Sequence, residues 1–327
     1  MTSGEDSLIA RYFRPLATDP GAFGLGDDAA VLSALGDDIV VTTDAIVEGV
    51  HFLSADPPDT IARKALRVNL SDLAAKGTTP AGFVLTLALS STEDAWLAPF
   101  ARGLGEDISL FGCPLLGGDT VSTPGPRMIS ITAFGRIPVG KTVHRSGARP
   151  GDRVMVTGTI GDAALGLAVL KGGAVATALA NDAMAKEMLV GRYRVPQPRN
   201  ALAKAIRDHA HAAMDVSDGL AGDLVKLCAA SGVSAAIDAQ SIPLSEPAMA
   251  LLARGVVGIE ALIAGGDDYE VLCAIPEDGV EAFARAAGLA SVSVTSIGTV
   301  IAATSPPRFL DGQGSEIALA RLSYSHF

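Results

Sequence analysis

Apolar and polar positions in the first half of the chain alternate in a way that predicts strands separated by helices. Runs rich in apolar and β-branched residues predict four strands, at residues 38–52, 82–89, 114–118 and 128–137. Two stretches with helical spacing lie between them, at 59–77 and 94–112. The first has one apolar face, formed by Ala62, Leu66, Leu70 and Leu73. Strands and helices in alternation predict an α/β domain.

A polar stretch rich in Gly and Pro, residues 139–152, predicts a connection between two domains. A second set of strands and helices follows it. The predicted strands lie at 153–158, in "AAMDVSDGL" and at 265–275, and the predicted helices in "DAALGLAVLKGG", "NDAMAKEMLVGRY" and "DLVKLCAASG". We therefore expect an N-terminal α/β domain over residues 1–140 and a C-terminal α/β domain over residues 150–327.

The composition narrows the classes of function. The 327 residues are 49% hydrophobic and only 5% aromatic, with a formal net charge of −11 and no dense run of Lys or Arg. A chain of this charge repels nucleic acids and anionic membranes, so neither is expected as a partner. The chain has no apolar stretch long enough for a membrane span and no signal-like start, which predicts a cytoplasmic protein. Its three cysteines are expected to be reduced core side chains: Cys113, Cys228 and Cys273.

The stretch "GRIPVGKT" (135–142) matches the Walker A pattern of phosphate-binding loops letter for letter. Such a loop binds phosphate only where a strand precedes it and a helix begins at its lysine. The residues after Lys141 include two glycines and a proline and show no helical period. We therefore assign no P-loop to this stretch.

Aspartates recur at positions that the pattern assigns to strand ends and helix starts. They are Asp27, Asp28, Asp44, Asp72, Asp119, Asp215, Asp218, Asp267 and Asp268. Each alone has a structural explanation: Ser217 and Asp218 as helix caps, Asp72 as a partner of Lys76, and "GGDT" as a turn. Together they indicate one shared acidic site, because the ends of elements can converge at one edge of an α/β fold.

Converging carboxylates need a cation beside them. Two like charges about 4 Å apart repel by about 4 kcal/mol at an effective dielectric constant of about 20. Mg²⁺ prefers carboxylate oxygens and bridges to substrate phosphates, and the hydroxyls of Thr42 and Thr43 beside Asp44 are further oxygen ligands. The acidic chain is therefore predicted to bind a polyphosphate through Mg²⁺.

The motifs occur in an order that resembles one known family, the thiamine-monophosphate kinases. They run from residue 5 to the C-terminal "YSHF" and include "GLGDDAAVL", "TTDAIVEGVHF", "NLSDLAAKGTTP", "DVSDGL" and "GGDDYE". This family is part of the aminoimidazole-ribonucleotide synthetase superfamily. Two sister families carry a reactive Cys near the N-terminus or at the C-terminus. Here the first cysteine is Cys113, and the chain ends in His326 and Phe327.

The resemblance implies a two-domain, aminoimidazole-ribonucleotide synthetase-like α/β (α+β) fold. In that fold an N-terminal mixed sheet with helices binds ATP and Mg²⁺ and pairs with a second copy in a homodimer, and the C-terminal α/β domain completes the active site. The implied reaction transfers the γ-phosphoryl group of ATP directly to thiamine monophosphate, giving thiamine diphosphate and ADP. Several Mg²⁺ ions serve the transfer, and no covalent nucleophile is implied.

Matching the family's motifs position by position implies a set of site residues. The implied metal ligands are Asp28, Thr42, Thr43, Asp44, Asp72, Asp119, Asp215 and Asp218. The implied ATP contacts are Gly118, Asp119, Arg145 and Ser217, and the implied acceptor contacts are His51, Asp267 and Tyr324. Two positions depart from the family pattern: Asp267 stands where Glu is usual, and Ser323 where Gly is usual.

Two other functions remain open on the sequence. One is another ATP-using member of the superfamily with a different acceptor, against which the "YSHF" end argues. The other is a binding protein that holds a nucleotide or a thiamine phosphate without turnover. Apart from the Glu-to-Asp change at Asp267, every implied metal position is present, which argues against this second alternative.

Overall fold

A computed structural model describes residues 8–25, 32–319 and 322, and its internal contacts divide the chain into two compact units. The first unit runs to Leu73 and continues over Thr78–Lys141. The second comprises Ala74–Gly77 and the residues from Thr142 on. Each unit is a sheet covered by helices, as the alternating pattern predicts.

The first unit is built on a four-stranded mixed sheet with two long helices. Its elements are β1 (Asp38–Val47), α1 (Pro58–Ala75), β2 (Thr79–Leu89), α2 (Asp94–Phe111), β3 (Leu115–Ser122) and β4 (Met128–Ile137). Short helical turns precede them, at Ile9–Phe13, Arg14–Leu16 and Pro20–Leu25. The strand order is β1-β4-β2-β3, with β2 and β3 parallel and the other neighbours antiparallel.

One face of this sheet packs against the helices. The predicted apolar face of α1 is buried there, with Leu66 and Leu70 against Phe83 and Leu85 of β2. Because successive strand residues point to opposite faces, the alternate positions point away from the helices. On that side Val41 of β1 is 56% exposed. The sheet therefore has one face in the core and one face toward solvent within the unit.

The second unit is built on a six-stranded mixed sheet. Its strands are β5 (Arg153–Thr157), β6 (Ala212–Val216), β7 (Ser234–Asp238), β8 (Glu270–Ile275), β9 (Val294–Ile301) and β10 (Arg308–Leu310), in the order β10-β7-β9-β5-β8-β6. Its helices are α3 (Asp162–Lys171), α4 (Ala174–Ala178), α5 (Ala183–Arg194), α6 (Ala203–His209), α7 (Leu220–Ser231), α8 (Glu246–Ala253), α9 (Ile259–Ile263) and α10 (Val280–Leu289). Short helical turns lie at Asn200–Leu202, Ala239–Ser241 and Glu277–Gly279. Among the strands described in this unit, only β7 and β10 pair in parallel.

The predicted elements are confirmed where the sequence period is strong. The strand predicted at 128–137 has those bounds, whereas the strand predicted at 38–52 ends at Val47, because a turn with Gly49 at φ +82° follows. Several elements of the second unit are not predicted by the sequence pattern: β7, β9, β10, α4, α6, α8, α9 and α10. The strand β9 includes Gly298 and is only partly buried, so its sequence lacks the continuous apolar run that marks the central strands.

The three cysteines lie in the core, as predicted. All three are free and buried, and burial raises the pKa values of Cys113, Cys228 and Cys273 to about 12, 11 and 12. Such thiols are almost entirely protonated at neutral pH and behave as small apolar side chains. Among the described residues, none of the helices is both long and apolar enough to span a membrane.

Candidate active site

Three of the implied metal ligands lie on the helix-covered face of the first unit. The hydroxyl of Thr42 on β1 donates a hydrogen bond of 2.5 Å to Oδ2 of Asp72 on α1. Asp44 follows two residues later on the same face of β1. Asp72 is half-buried, which fits its position at the border of the apolar face of α1. This pair of elements therefore brings two carboxylates and a hydroxyl to one place.

The expectation that Asp44 and Asp119 mark strand ends is wrong. Asp44 lies inside β1 and Asp119 inside β3, so "GGDT" is a strand segment and not a turn. Both strands are edges of their sheet. An edge strand can carry a polar side chain into solvent without ending, so a polar residue is a poor marker of a strand end there.

The register separates Asp119 from Asp44 and Asp72. Through the strand pairing Asp119 is level with Ala45, the residue after Asp44 on β1. Neighbouring residues of a strand point to opposite faces, so Asp119 and Asp44 lie on opposite faces of the sheet. Three strand spacings of about 4.8 Å also part the two edge strands, which makes about 14 Å. Ligands of one Mg²⁺ ion lie about 2.1 Å from it. A single copy of the first unit therefore cannot bind one ion with both Asp44 and Asp119.

Thr43 points to the same open face as Asp119. Its hydroxyl donates to the carbonyl oxygen of Ile131 at 3.2 Å and accepts from the hydroxyl of Thr132 at 3.0 Å. The implied ligands of the first unit are thus divided between the two faces of the sheet. Among the described residues there is no group of three or more His, Cys, Asp or Glu side chains arranged to hold a metal ion. The oxygen donors present on each face are nevertheless the type that Mg²⁺ prefers.

His51 is held by one hydrogen bond to its ring and one to its backbone carbonyl oxygen. Its Nδ1 accepts a hydrogen bond of 3.0 Å from the backbone N–H of Val47, so the proton of the neutral ring is on Nε2. Its carbonyl oxygen accepts from Nζ of Lys64, a buried lysine of α1, at 2.9 Å. The ring therefore has a defined orientation, with its proton on Nε2.

Gly118 lies where β3 comes close to β2. A Cβ atom added there would lie 1.9 Å from the carbonyl oxygen of Leu85, so only glycine fits. Gly118 and Asp119 also line a cavity of about 410 Å³ beside the edge strand. The cavity lining is mainly aliphatic and includes Leu87 and Leu116. Its volume is within the range of small-molecule sites, about 300–1,000 Å³.

The second unit holds Asp215, Ser217 and Asp218 in one short segment. Asp215 is buried near the end of β6, and the N–H groups of Ser217 and Asp218 both donate to Oδ2 of Asp223 at 3.0 Å. Lys226 forms an ion pair with Asp218 and another, of 2.8 Å, with Asp223. Burial raises the pKa of Asp223, and Lys226 opposes that shift.

Ser217 and Asp218 do not cap the helix that follows them, because α7 begins at Leu220 and its N-cap residue is Gly219. Asp223 and Lys226 are not among the site residues predicted from the sequence. Their spacing from Asp218, five and eight residues, places them on the following helix, and that spacing is the only signal the sequence offers.

The second doubled aspartate, Asp267 and Asp268, has two different roles. Asp268 is buried, and the two oxygens of its carboxyl group accept from the N–H groups of Gly161 and Ala163 at 2.7 and 3.2 Å, at the start of α3. Burial raises the pKa of Asp268 to about 8, although the two N–H groups act in the opposite direction. Asp267 is partly exposed and adopts φ +74°, a left-handed conformation. Only Asp267 has a side chain in reach of solvent for a ligand.

The connection between the units carries Lys141 and Arg145. No helix begins at Lys141 within residues 138–152, all of them described. The N–H of Gly140 donates to Asp38 at 2.8 Å, which takes one loop amide away from any phosphate. Arg145 is exposed. The absence of the helix agrees with the prediction that this stretch is not a P-loop. Two implied site residues, Asp28 and Tyr324, lie outside the described residues.

Comparison with known proteins places both halves of the chain in one family. Residues 26–137 match the AIR synthase related protein N-terminal domain, and residues 149–307 match the AIR synthase related protein C-terminal domain. The chain is 46% identical to the thiamine-monophosphate kinase of Caulobacter vibrioides over 97% of its own length and 89% of that protein.

Solved structures agree with this similarity. The thiamine-monophosphate kinase of Stenotrophomonas maltophilia superposes with a TM-score of 0.84 at 35% identity, over 97% of this chain and 99% of that chain. AaThiL complexed with AMPPCP and TMP superposes with a TM-score of 0.77 at 30% identity, over 94% of this chain and 97% of that chain. The chain therefore belongs to the thiamine-monophosphate kinase family of AIR synthase related proteins.

Proposed function

We propose that this chain transfers the γ-phosphoryl group of ATP to thiamine monophosphate, giving thiamine diphosphate and ADP. An oxygen of the thiamine phosphate forms the new bond to the γ-phosphorus, and the bond from that phosphorus to the β,γ-bridging oxygen breaks. The observation that carries the proposal is the similarity over nearly the whole chain to thiamine-monophosphate kinases. The relative complexed with AMPPCP and TMP supports the two substrates.

The oxygen-rich donor set supports Mg²⁺ as the metal. Thr42, Asp44 and Asp72 would hold it on the helix-covered face of the first unit, and Thr43 and Asp119 on the open face. Asp28, Asp215 and Asp218 are proposed as further ligands. When bound, Mg²⁺ neutralises charge on these carboxylates and on the phosphates. The helix α1 and the hydroxyl of Thr42 orient the Asp72 carboxylate. The protein thereby holds this ligand in position before the metal binds.

For the acceptor, the proposed contacts are His51, Asp267 and Tyr324. The Nε2–H of His51 is oriented by the bond to Nδ1 and can donate to a phosphate oxygen. Asp267 is one methylene shorter than the glutamate usual in the family, and a bridging water can span the difference. Tyr324 lies outside the described residues, and its role is proposed from the motif alone.

For ATP, we propose that the adenine base occupies the cavity beside β3. The cavity is lined by aliphatic side chains and continues to Gly118 and Asp119, the positions implied to contact the nucleotide. A flat base fits a cavity of this volume whose lining combines aliphatic side chains with polar groups such as Asp119 and Thr120. Arg145 and Ser217 are proposed as phosphate contacts, since a guanidinium group and a hydroxyl both donate to phosphate oxygens.

A homodimer would resolve the separation of Asp44 from Asp119. A second copy whose edge strand β3 lies beside β1 of the first copy, with the open faces of the two sheets toward each other, could bring its own Asp119 to the strand that carries Thr42 and Asp44. The exposed Val41 and Val121 on that face support such packing, because apolar side chains are stabilised by removal from water. We also propose a cytoplasmic location, which fits ATP as substrate and three free cysteines.

The direct test is incubation of the chain with ATP, Mg²⁺ and thiamine monophosphate, followed by oxidation and fluorescence detection of thiamine diphosphate. We expect product to form with Mg²⁺ and to be absent with EDTA. The non-catalytic alternative predicts binding of both ligands with no product. The alternative of another acceptor predicts ATP turnover that does not depend on thiamine monophosphate.

A further inference from the structure

The segment that carries Asp267 is bound along its backbone to the segment after β6. The N–H of Asp267 donates to the carbonyl oxygen of Ser217, and the N–H of Tyr269 to that of Val216, both at 2.8 Å. A Cβ atom added at Gly266 would lie 2.6 Å from the carbonyl oxygen of Ser217. The two segments therefore touch backbone to backbone, and the glycine permits that distance.

This contact is made with an unfavourable backbone conformation. Asp267 has φ +74° and Tyr269 has φ +51°, so two non-glycine residues adopt the left-handed region within three positions. Residues other than glycine rarely adopt this backbone conformation, and it persists only where the surrounding structure holds it. Asp268 and Glu270, which alternate with these two residues, carry side chains that can hold the segment in this conformation.

Glu270 is held from three directions. It is fully buried, and its carboxylate accepts from Nη2 of Arg192, from Nε of Arg199 and from the hydroxyl of Thr157, each at 2.6 Å. A second contact from Arg199 makes that pair two-pronged. A Cβ atom added at Gly158 would lie 2.1 Å from Oε1 of Glu270, so no other side chain fits beside the carboxylate.

Stability alone does not account for this cluster. Apolar side chains of similar volume stabilise a core as well as a buried ion pair does, because the charges must give up their hydration. A two-pronged pair in addition fixes the orientation of the carboxylate relative to the arginine. Arg192 also donates to the backbone carbonyl of Asp268 at 3.3 Å, so the cluster contacts the strained segment as well as Glu270.

We propose that Glu270, held by Arg192 and Arg199, is a positioning residue that keeps Asp267 in its left-handed conformation and so aims its carboxylate at the acceptor. This rests on the proposed function, in which Asp267 contacts thiamine monophosphate. Glu270 itself is buried and touches no substrate. It acts by fixing the backbone conformation of Asp267, three residues earlier.

The test is the steady-state kinetics of Glu270→Gln, a change that keeps the shape and removes the charge. A misplaced contact group weakens the interaction it should make, so we expect the KM for thiamine monophosphate to rise about ten- to a hundredfold. The KM for ATP should change much less. Arg199→Lys, which keeps a positive charge but loses the two-pronged contact, should shift the same KM in the same direction and serves if Glu270→Gln does not fold.

Two controls separate positioning from general destabilisation. Asp107→Asn breaks another buried ion pair, with Arg67 in the first unit, and should lower the Tm without changing the ratio of the two KM values. Tyr269→Gly relieves the strain, because glycine adopts φ +51° freely. In that background Glu270→Gln should raise the acceptor KM by a smaller factor than in the wild type.

The proposal is overturned if Glu270→Gln and Arg199→Lys lower the Tm but leave the acceptor KM unchanged, or raise both KM values equally. An undiminished effect of Glu270→Gln in the Tyr269→Gly background also overturns it. Failure of the proposed function is distinguishable, because the wild-type chain would then form no thiamine diphosphate at all.

Discussion

Two inactive variants combined in one dimer test whether a metal site takes Asp72 from one copy and Asp119 from the other. Asp72→Asn and Asp119→Asn each replace a carboxylate by an amide of the same shape. Even at about 4 Å, a longer separation than a direct ligand contact, loss of one charge beside a cation removes about 4 kcal/mol at an effective dielectric constant of about 20, which corresponds to a roughly thousandfold lower rate. Each variant alone is therefore expected to fold and to be nearly inactive.

A dimer with one chain of each kind behaves differently, because Asp72 contacts Thr42 on β1, and β1 lies three strand spacings, about 14 Å, from the strand of Asp119 within a copy. One of its sites receives both asparagines and the other receives neither. Co-expression with two affinity tags and sequential purification isolates this mixed dimer. We expect it to form thiamine diphosphate at about half the wild-type rate, and a random mixture of dimers at about a quarter.

The matched control is a mixed dimer of Asp44→Asn and Asp72→Asn chains. These two residues lie on the same helix-covered face of one copy, so each site would carry one asparagine and no activity should return. The reasoning is refuted if the Asp72/Asp119 mixed dimer is as inactive as its parents. It is also refuted if light scattering gives the mass of a single chain, 33.2 kDa.

The remaining predictions concern three separate features. Gly118→Ala should weaken ATP binding in calorimetry, because the new Cβ meets a backbone oxygen at 1.9 Å; at Gly125 the nearest atom is 3.5 Å away, so Gly125→Ala should bind ATP normally. Lys141→Ala should leave the KM for ATP nearly unchanged, whereas Arg145→Ala should raise it; the reverse pattern would restore the P-loop hypothesis. Burial raises the pKa of Asp268 to about 8, so the folded chain keeps a proton there that the unfolded chain loses near pH 3.8. The free energy of unfolding should therefore fall with rising pH between these values, by up to about 1.4 kcal/mol per pH unit, and urea titrations should show a flatter profile for Asp268→Asn.

The fold class was predictable from the sequence, which also predicts the type of donor group at the candidate site. Apolar residues at helical spacing in α1 are buried where the period puts them, because a helix has only one way to turn its apolar face inward. The recurring aspartates with Thr42 and Thr43 predict hard oxygen donors whatever their arrangement. Local patterns carry this information, since it depends on residues within a few positions of one another.

The pairing of distant segments was decided by the tertiary structure. Whether Asp44 and Asp119 face the same way depends on strand order and register, and a shift of one residue would reverse the face of either side chain. For the same reason the sequence pattern treats Asp267 and Asp268 alike, although one is strained and partly exposed and the other caps α3. A side chain's partners across a fold are set by packing between segments far apart in sequence, which no local period records.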